Sequence, residues 1–78
     1  MIVMPLITGK RGQVIKFSRS GIGILEDLET KEQFGFTFDK IKGYGGEYPE
    51  ELGLRVGSEV SFDAGEDGVV VSVALKGR

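Results

Sequence analysis

Short runs rich in apolar and β-branched or aromatic residues, each bounded by turn residues, recur along this chain, with strict alternation in residues 33–38 and 59–63. Residues 13–18 read QVIKFS, with Val14, Ile15 and Phe17 apolar, and are bounded by Gly12 and by Ser20–Gly21. Residues 22–28 form a second such run, the polar turn Glu29–Thr30–Lys31 follows, and residues 33–38 form a third. These three segments predict a β-meander with short connections. Residues 59–63 and 69–74 flank AGEDG, a turn of hairpin type. Between the two groups, residues 39–57 include GYGGEYPEELG, whose glycines and proline predict a mobile loop with one helical turn around residues 39–42. No helical period is sustained anywhere, and no internal repeat is present.

Five short strands, three contiguous and two after a long loop, predict an all-β fold: a five-stranded closed OB-type barrel. Closure removes the edges that an open sheet of this size would expose. Some of the 13 glycines then serve as bends at barrel corners. Those in SGIGIL (residues 20–25) and FGFTF (residues 34–38) stand inside strands, where glycine costs both backbone entropy and packing. Corner bending does not account for them.

Composition narrows the function. Seventy-eight residues make one domain, with neither cysteine nor histidine. Disulfides and thiolate zinc sites are excluded, and most metal ligation and neutral-pH acid–base chemistry goes with histidine. We therefore expect no enzyme activity, no metal and no cofactor. The formal charge is −2, yet every acidic residue lies at or after Glu26. Lys10, Arg11, Lys16 and Arg19 precede it without a counter-charge. This is either a basic strip for a polyanion or a solvated face. Glu26, Asp27, Glu29 and Glu32 read as a solvated turn. The opening MIVMPLIT is too short to span a membrane and has no signal-peptide character, so no membrane role and a cytoplasmic location are expected. TGK at residues 8–10 lacks the glycine and hydroxyl of a phosphate loop, and DAGEDG at residues 63–68 lacks the closing glutamate of a calcium loop.

The order GQVIKFSRSGIGIL, FGFTFDKI, GSEVSFDAGEDGVVVSV resembles the cold-shock domain family over residues 12–75. Residues 1–11 then form an N-terminal segment, read as a flexible tail, a leading strand or a contact surface, and residues 76–78 form a C-terminal tail. The RNA-binding OB repeat of ribosomal type is a close rival, sharing the glycine–x–valine start and a VGSEV-like segment. The phenylalanine in VSF and the short length favour the cold-shock likeness.

The resemblance implies binding of single-stranded RNA or DNA on a sheet face where bases stack on exposed rings, each for about 1–3 kcal/mol. Glycines between the rings admit the nucleotide to the backbone. Here the rings are depleted. Ile22 and Ile24 stand where the family has aromatics, Gly35 replaces a phenylalanine, Thr37 a histidine and Lys16 a tryptophan. Phe17 and Phe38 persist and are expected on the exposed face, whereas Phe34 and Phe36 match core valines. Either Tyr44 or Tyr48 corresponds to the family's long-loop aromatic, or else covers the open end of the barrel. The expected contact set is Lys10, Arg11, Lys16, Phe17, Arg19, Ile22, Ile24, Thr37, Phe38 and Tyr44. With so few rings the expected binding is weak, by a monomer or weak dimer. The alternative is a protein–protein interaction module using the same apolar face.

Overall fold

A computed structural model describes residues 7–65 and 67–76. Met1–Leu6, Gly77 and Arg78 lie outside the described residues, and with them most of the predicted N-terminal segment and C-terminal tail. The strands are β1 (Ile7–Phe17), β2 (Ile22–Asp27), β3 (Gln33–Thr37), β4 (Glu59–Ala64) and β5 (Val70–Leu75). Each overlaps a segment predicted from these runs. β1 begins at Ile7 rather than Gln13, so Lys10 and Arg11 belong to a strand and not to a leading segment.

The five strands form one antiparallel sheet in the order β3-β2-β1-β4-β5. β1 is the shared member. Its first part pairs with β4, from Ile7–Ala64 to Gln13–Glu59, and its second part pairs with β2, from Gly12–Asp27 to Phe17–Gly23. Such sharing bends the long strand and curls the sheet.

The predicted closure does not occur: the sheet is a curled half-barrel. β3 stops at Thr37 and the chain turns into one 3₁₀ turn, Phe38–Lys40, so β3 forms no ladder with β5. Beyond the turn, Ile41 makes an isolated parallel bridge with Val73, and the Lys42 N–H donates to the Val73 carbonyl at 2.8 Å.

The core comprises Val14, Leu25, Phe36, Phe38, Ile41, Leu52, Leu54, Val60, Phe62, Ala64, Val70 and Val73. Three of these, Ile41, Leu52 and Leu54, come from the stretch predicted to be a mobile loop. That stretch carries a helical turn the alternation did not predict, α1 (Pro49–Leu52). Its signals are local: proline at the first helical position, a Glu51 carboxylate accepting the Tyr48 N–H at 3.1 Å, and Gly53 closing the turn at φ +75°. The turn directs Leu52 inward beneath the half-barrel.

Two core rings explain two of the glycines within strands, Gly12 and Gly23. An added Cβ at Gly23 would stand 2.6 Å from the Phe36 ring, and at Gly12 3.0 Å from the Phe62 ring and 2.9 Å from the Glu26 carbonyl. Both glycines face inward, and their bare backbone is the floor on which a phenylalanine from a neighbouring strand lies. Gly21 serves a different need, holding φ +103° in the β1–β2 turn. Gly23 therefore admits a core ring, not a nucleotide.

Phe38 is also corrected: it is 3% exposed and packs beside Phe36 with ring centroids 6.3 Å apart, because the 3₁₀ turn rolls it off the sheet face.

Two stability predictions follow from this packing. Gly23→Ala should cost about 1–3 kcal/mol through overpacking. Gly35→Ala, whose new methyl meets nothing within 4 Å and whose φ is not positive, should change stability by less than about 1 kcal/mol. Urea denaturation of the two variants checks the contrast, and equal losses would refute the ring-on-glycine account. Phe38→Ala should cost about 3–5 kcal/mol, as expected of a core ring; a thermal melt close to that of the parent would return Phe38 to the surface.

Candidate functional site

The outer face of β1–β3 is built by strand alternation against the core. Because Leu25 and Gly23 face inward, Ile22 and Ile24 face outward; because Phe36 faces inward, Gly35 and Thr37 face outward. The register aligns Lys16, Ile24 and Gly35 in one row across three strands, with Ile22 and Thr37 paired in the next. Lys16 reaches this row through a bulge. An unbroken strand would put Lys16 on the same inward side as Val14, but the register shifts between them and reverses the alternation.

Ile22 is 58% exposed, while Ile24 is half-buried. Together with Lys16, Phe17, Ser18 and Gly23 they line a shallow, almost wholly apolar depression of about 210 Å³. Phe17, expected on the exposed face, is instead paired with the inward-facing Gly23; it is half-buried against the core and reaches the depression with only part of its ring. Gly35 leaves bare strand beside Ile24, so space over this row is open.

The other predicted contact residues are placed elsewhere. Lys10 sits toward the opposite end of β1, its ammonium 3.0 Å from Asp27. Arg11 pairs with Glu59 at 3.3 Å, and Glu59 also takes Lys76 at 2.9 Å. The Lys76 ammonium, with Arg11 beside it, holds the Glu59 carboxyl below the ordinary glutamate range. Arg19, in the β1–β2 turn, forms an ion pair with Glu50 of α1 and lies 5.1 Å from the centre of the Tyr48 ring. Tyr44 is half-buried with its ring edge-on to Phe38 at 6.1 Å, so it covers the end of the core. Tyr48 is 58% exposed.

The basic strip is therefore largely neutralised: Lys10, Arg11 and Arg19 each have a carboxylate partner that lies far away in sequence. Of those four residues, Lys16 has no ion pair among the described residues. Lys40 and Lys42 are likewise exposed and unpaired among the described residues, in the segment that leaves β3 just past Thr37. Sequence reasoning passed over both. Their signal was adjacency to the FGFTF strand, hidden by Asp39 between them and that strand.

Asp27, read as part of a solvated turn, is 2% exposed and organises the β2–β3 connection. Its Oδ1 accepts the Glu29 N–H at 2.8 Å and the Thr30 N–H at 3.3 Å, and its Oδ2 faces Lys10. Burial pushes its carboxyl up, but the hydrogen bonds from Glu29, Lys10 and Thr30 outweigh burial and hold it below the ordinary value of 3.8. Its hydrogen bond in turn holds the Lys10 ammonium above the ordinary lysine range. This cluster is structural. It lies beside a second depression of about 190 Å³, lined also by Phe34 and Phe62 near the open seam.

Among the described residues, no group of three or more histidine, cysteine, aspartate or glutamate side chains is placed to hold a metal ion. No helix among them is long and apolar enough to cross a membrane. No protein-family model matches this chain, and neither a curated protein nor a solved structure is similar enough to count as a match.

The Asp27 cluster predicts acid sensitivity of a stated sign. A carboxyl with a lowered folded pKa stabilises the fold fully above its unfolded value, 3.8, and the contribution is lost as pH falls through the lower folded value. Asp27→Asn should lower stability at neutral pH and remove part of the decline below pH 3.8. Circular-dichroism melts from neutral to acid pH test this; parallel curves for parent and variant would exclude the role assigned to Asp27.

Proposed function

We propose that this chain is a non-enzymatic module that binds single-stranded RNA or DNA weakly through the outer face of β1–β3. The observation that carries the reading is the row Lys16–Ile24–Gly35 with Ile22–Thr37 beside it, an outward-facing apolar strip that holds the unpaired Lys16. Bases lie over Ile22, Ile24 and the exposed part of Phe17 by van der Waals contact. Lys16 at one side, and Lys40 and Lys42 beyond Thr37, contact phosphates. The resemblance to cold-shock domains supports the same face. Weakness follows from chemistry: an isoleucine covers a base but has no π-face, and the stacking worth about 1–3 kcal/mol per base is largely missing.

A second reading gives the face to a protein partner, with the same residues as the contact. The apolar lining of the depression at Ile22 and Ile24 favours it.

Two titrations by fluorescence anisotropy separate the readings. With three phosphates neutralised, affinity for a labelled oligonucleotide should fall with salt at a log–log slope of about −2, at about −0.7 per phosphate, and Lys16→Gln should flatten it by about 0.7. A salt-independent affinity would contradict phosphate contact. In the second titration, Ile22→Phe with Ile24→Phe restores two rings, with open space over Gly35 to receive the second. Affinity should rise at least about tenfold, which needs only about 1.4 kcal/mol. A folded double variant that still binds no oligonucleotide, and instead changes its self-association, would transfer the face to a protein partner.

A further inference from the structure

The β1–β2 turn, which leads from the depression into β2, carries a further cation, Arg19. Arg19 follows Ser18, which lines the depression, and precedes Ile22 by one turn. Its guanidinium is engaged twice by the long segment between β3 and β4: by the Glu50 carboxylate and by the face of Tyr48. Tyr48 and Glu50 bracket the start of α1, and α1 is seated in the core through Leu52. The Glu50 carboxylate is thus held against Arg19 by a fixed element and not by a free tail.

Both partners of this ion pair are mostly solvated, with side chains 64% and 59% exposed. An exposed pair of this kind is weak and is readily exchanged for a competing anion. A phosphate offers the planar guanidinium the same two-point geometry as a carboxylate. Removal of Glu50 from Arg19 leaves the guanidinium beside the Tyr48 ring and free to take another anion.

We infer that Glu50 is an internal competitor for the nucleic-acid phosphate, holding Arg19 out of the interface until a phosphodiester displaces it. The inference rests on the reading of the β1–β3 face as a single-strand binding site. Its content is regulatory: the negative charge at the start of α1 sets how many cations the face presents. Free, the chain offers Lys16, Lys40 and Lys42; bound, it recruits Arg19 by exchange. In this exchange the cation condensed at the phosphate is released while the freed Glu50 carboxylate takes one up, so the net release at Arg19 is small.

The test is a double-mutant cycle read by anisotropy with a labelled single-stranded oligonucleotide of phosphodiester backbone. Glu50→Gln should tighten binding about threefold at low salt and steepen the log–log salt slope by about 0.7, because Arg19 now neutralises a phosphate with net counterion release. In an Arg19→Gln background the same Glu50→Gln change should have no effect on either quantity. A gain that persists in that background would show general charge removal and overturn the competitor role. Unchanged affinity and slope in Glu50→Gln would overturn it equally. Two-dimensional NMR of the parent supplies an independent readout: the Arg19 side-chain N–H and Tyr48 ring signals should move on titration, and static signals would overturn the exchange. Failure of the underlying reading looks different, since parent, Lys16→Gln and Glu50→Gln would then all fail to bind.

Discussion

Two phenylalanine rings lying on bare backbone govern this fold. Phe36 occupies the space that a side chain at Gly23 would take, and Phe62 occupies the space above Gly12. Each contact joins neighbouring strands at van der Waals distance, and each demands a glycine on the strand below. The inward placement of Phe36 then dictates everything about β3: Gly35 and Thr37 must face out, and the row against Ile24 and Ile22 follows from the pairing register. The proposed binding face is the reverse side of that packing decision. Gly23, which looks like a concession to a ligand on the outside, is a concession to a ring on the inside.

The half-barrel stays open because β3 ends early. A 3₁₀ turn withdraws Phe38 from the sheet face and plants it against Phe36, and Tyr44 closes over it edge-on. Where a β3–β5 ladder would close the barrel, the Ile41–Val73 bridge and the Lys42–Val73 hydrogen bond tie the segment after β3 to β5. α1 contributes Leu52 to the same core, with Leu54 following it. The long segment is thereby part of the packed structure, and its surface residues, Tyr48 and Glu50, are held where they meet Arg19.

Electrostatics divides the cations by their partners rather than by their position in the chain. Lys10 stabilises a buried carboxylate, Arg11 shares Glu59 with Lys76, and Arg19 is matched to Glu50. A face with few rings and a limited set of available charges is suited to weak, salt-sensitive contact. Such a face is also tuned by small changes, because one carboxylate more or less is a large fraction of its net charge.

Apolar runs bounded by turn residues by themselves determined the five strands and the all-β class, because a half-buried strand needs apolar side chains and its ends need turn chemistry, although the start of β1 at Ile7 was not among them. The inward assignment of Phe36 came from the resemblance to cold-shock domains. The helical signals around Tyr48–Pro49 were present in the chain and went unread among glycines. Three matters were decided only in three dimensions. The bulge between Val14 and Lys16 turns Lys16 outward, and a one-residue register shift depends on both flanking strands at once. Phe38 is buried because the chain leaves the sheet at Thr37, a choice made by the space beside Phe36. The loss of the basic strip came from ion pairs to Asp27, Glu59 and Glu50, each contributed by a different part of the chain. Charge balance at a surface is a property of neighbours in space, and a linear sequence does not record which carboxylate the fold will bring to which cation.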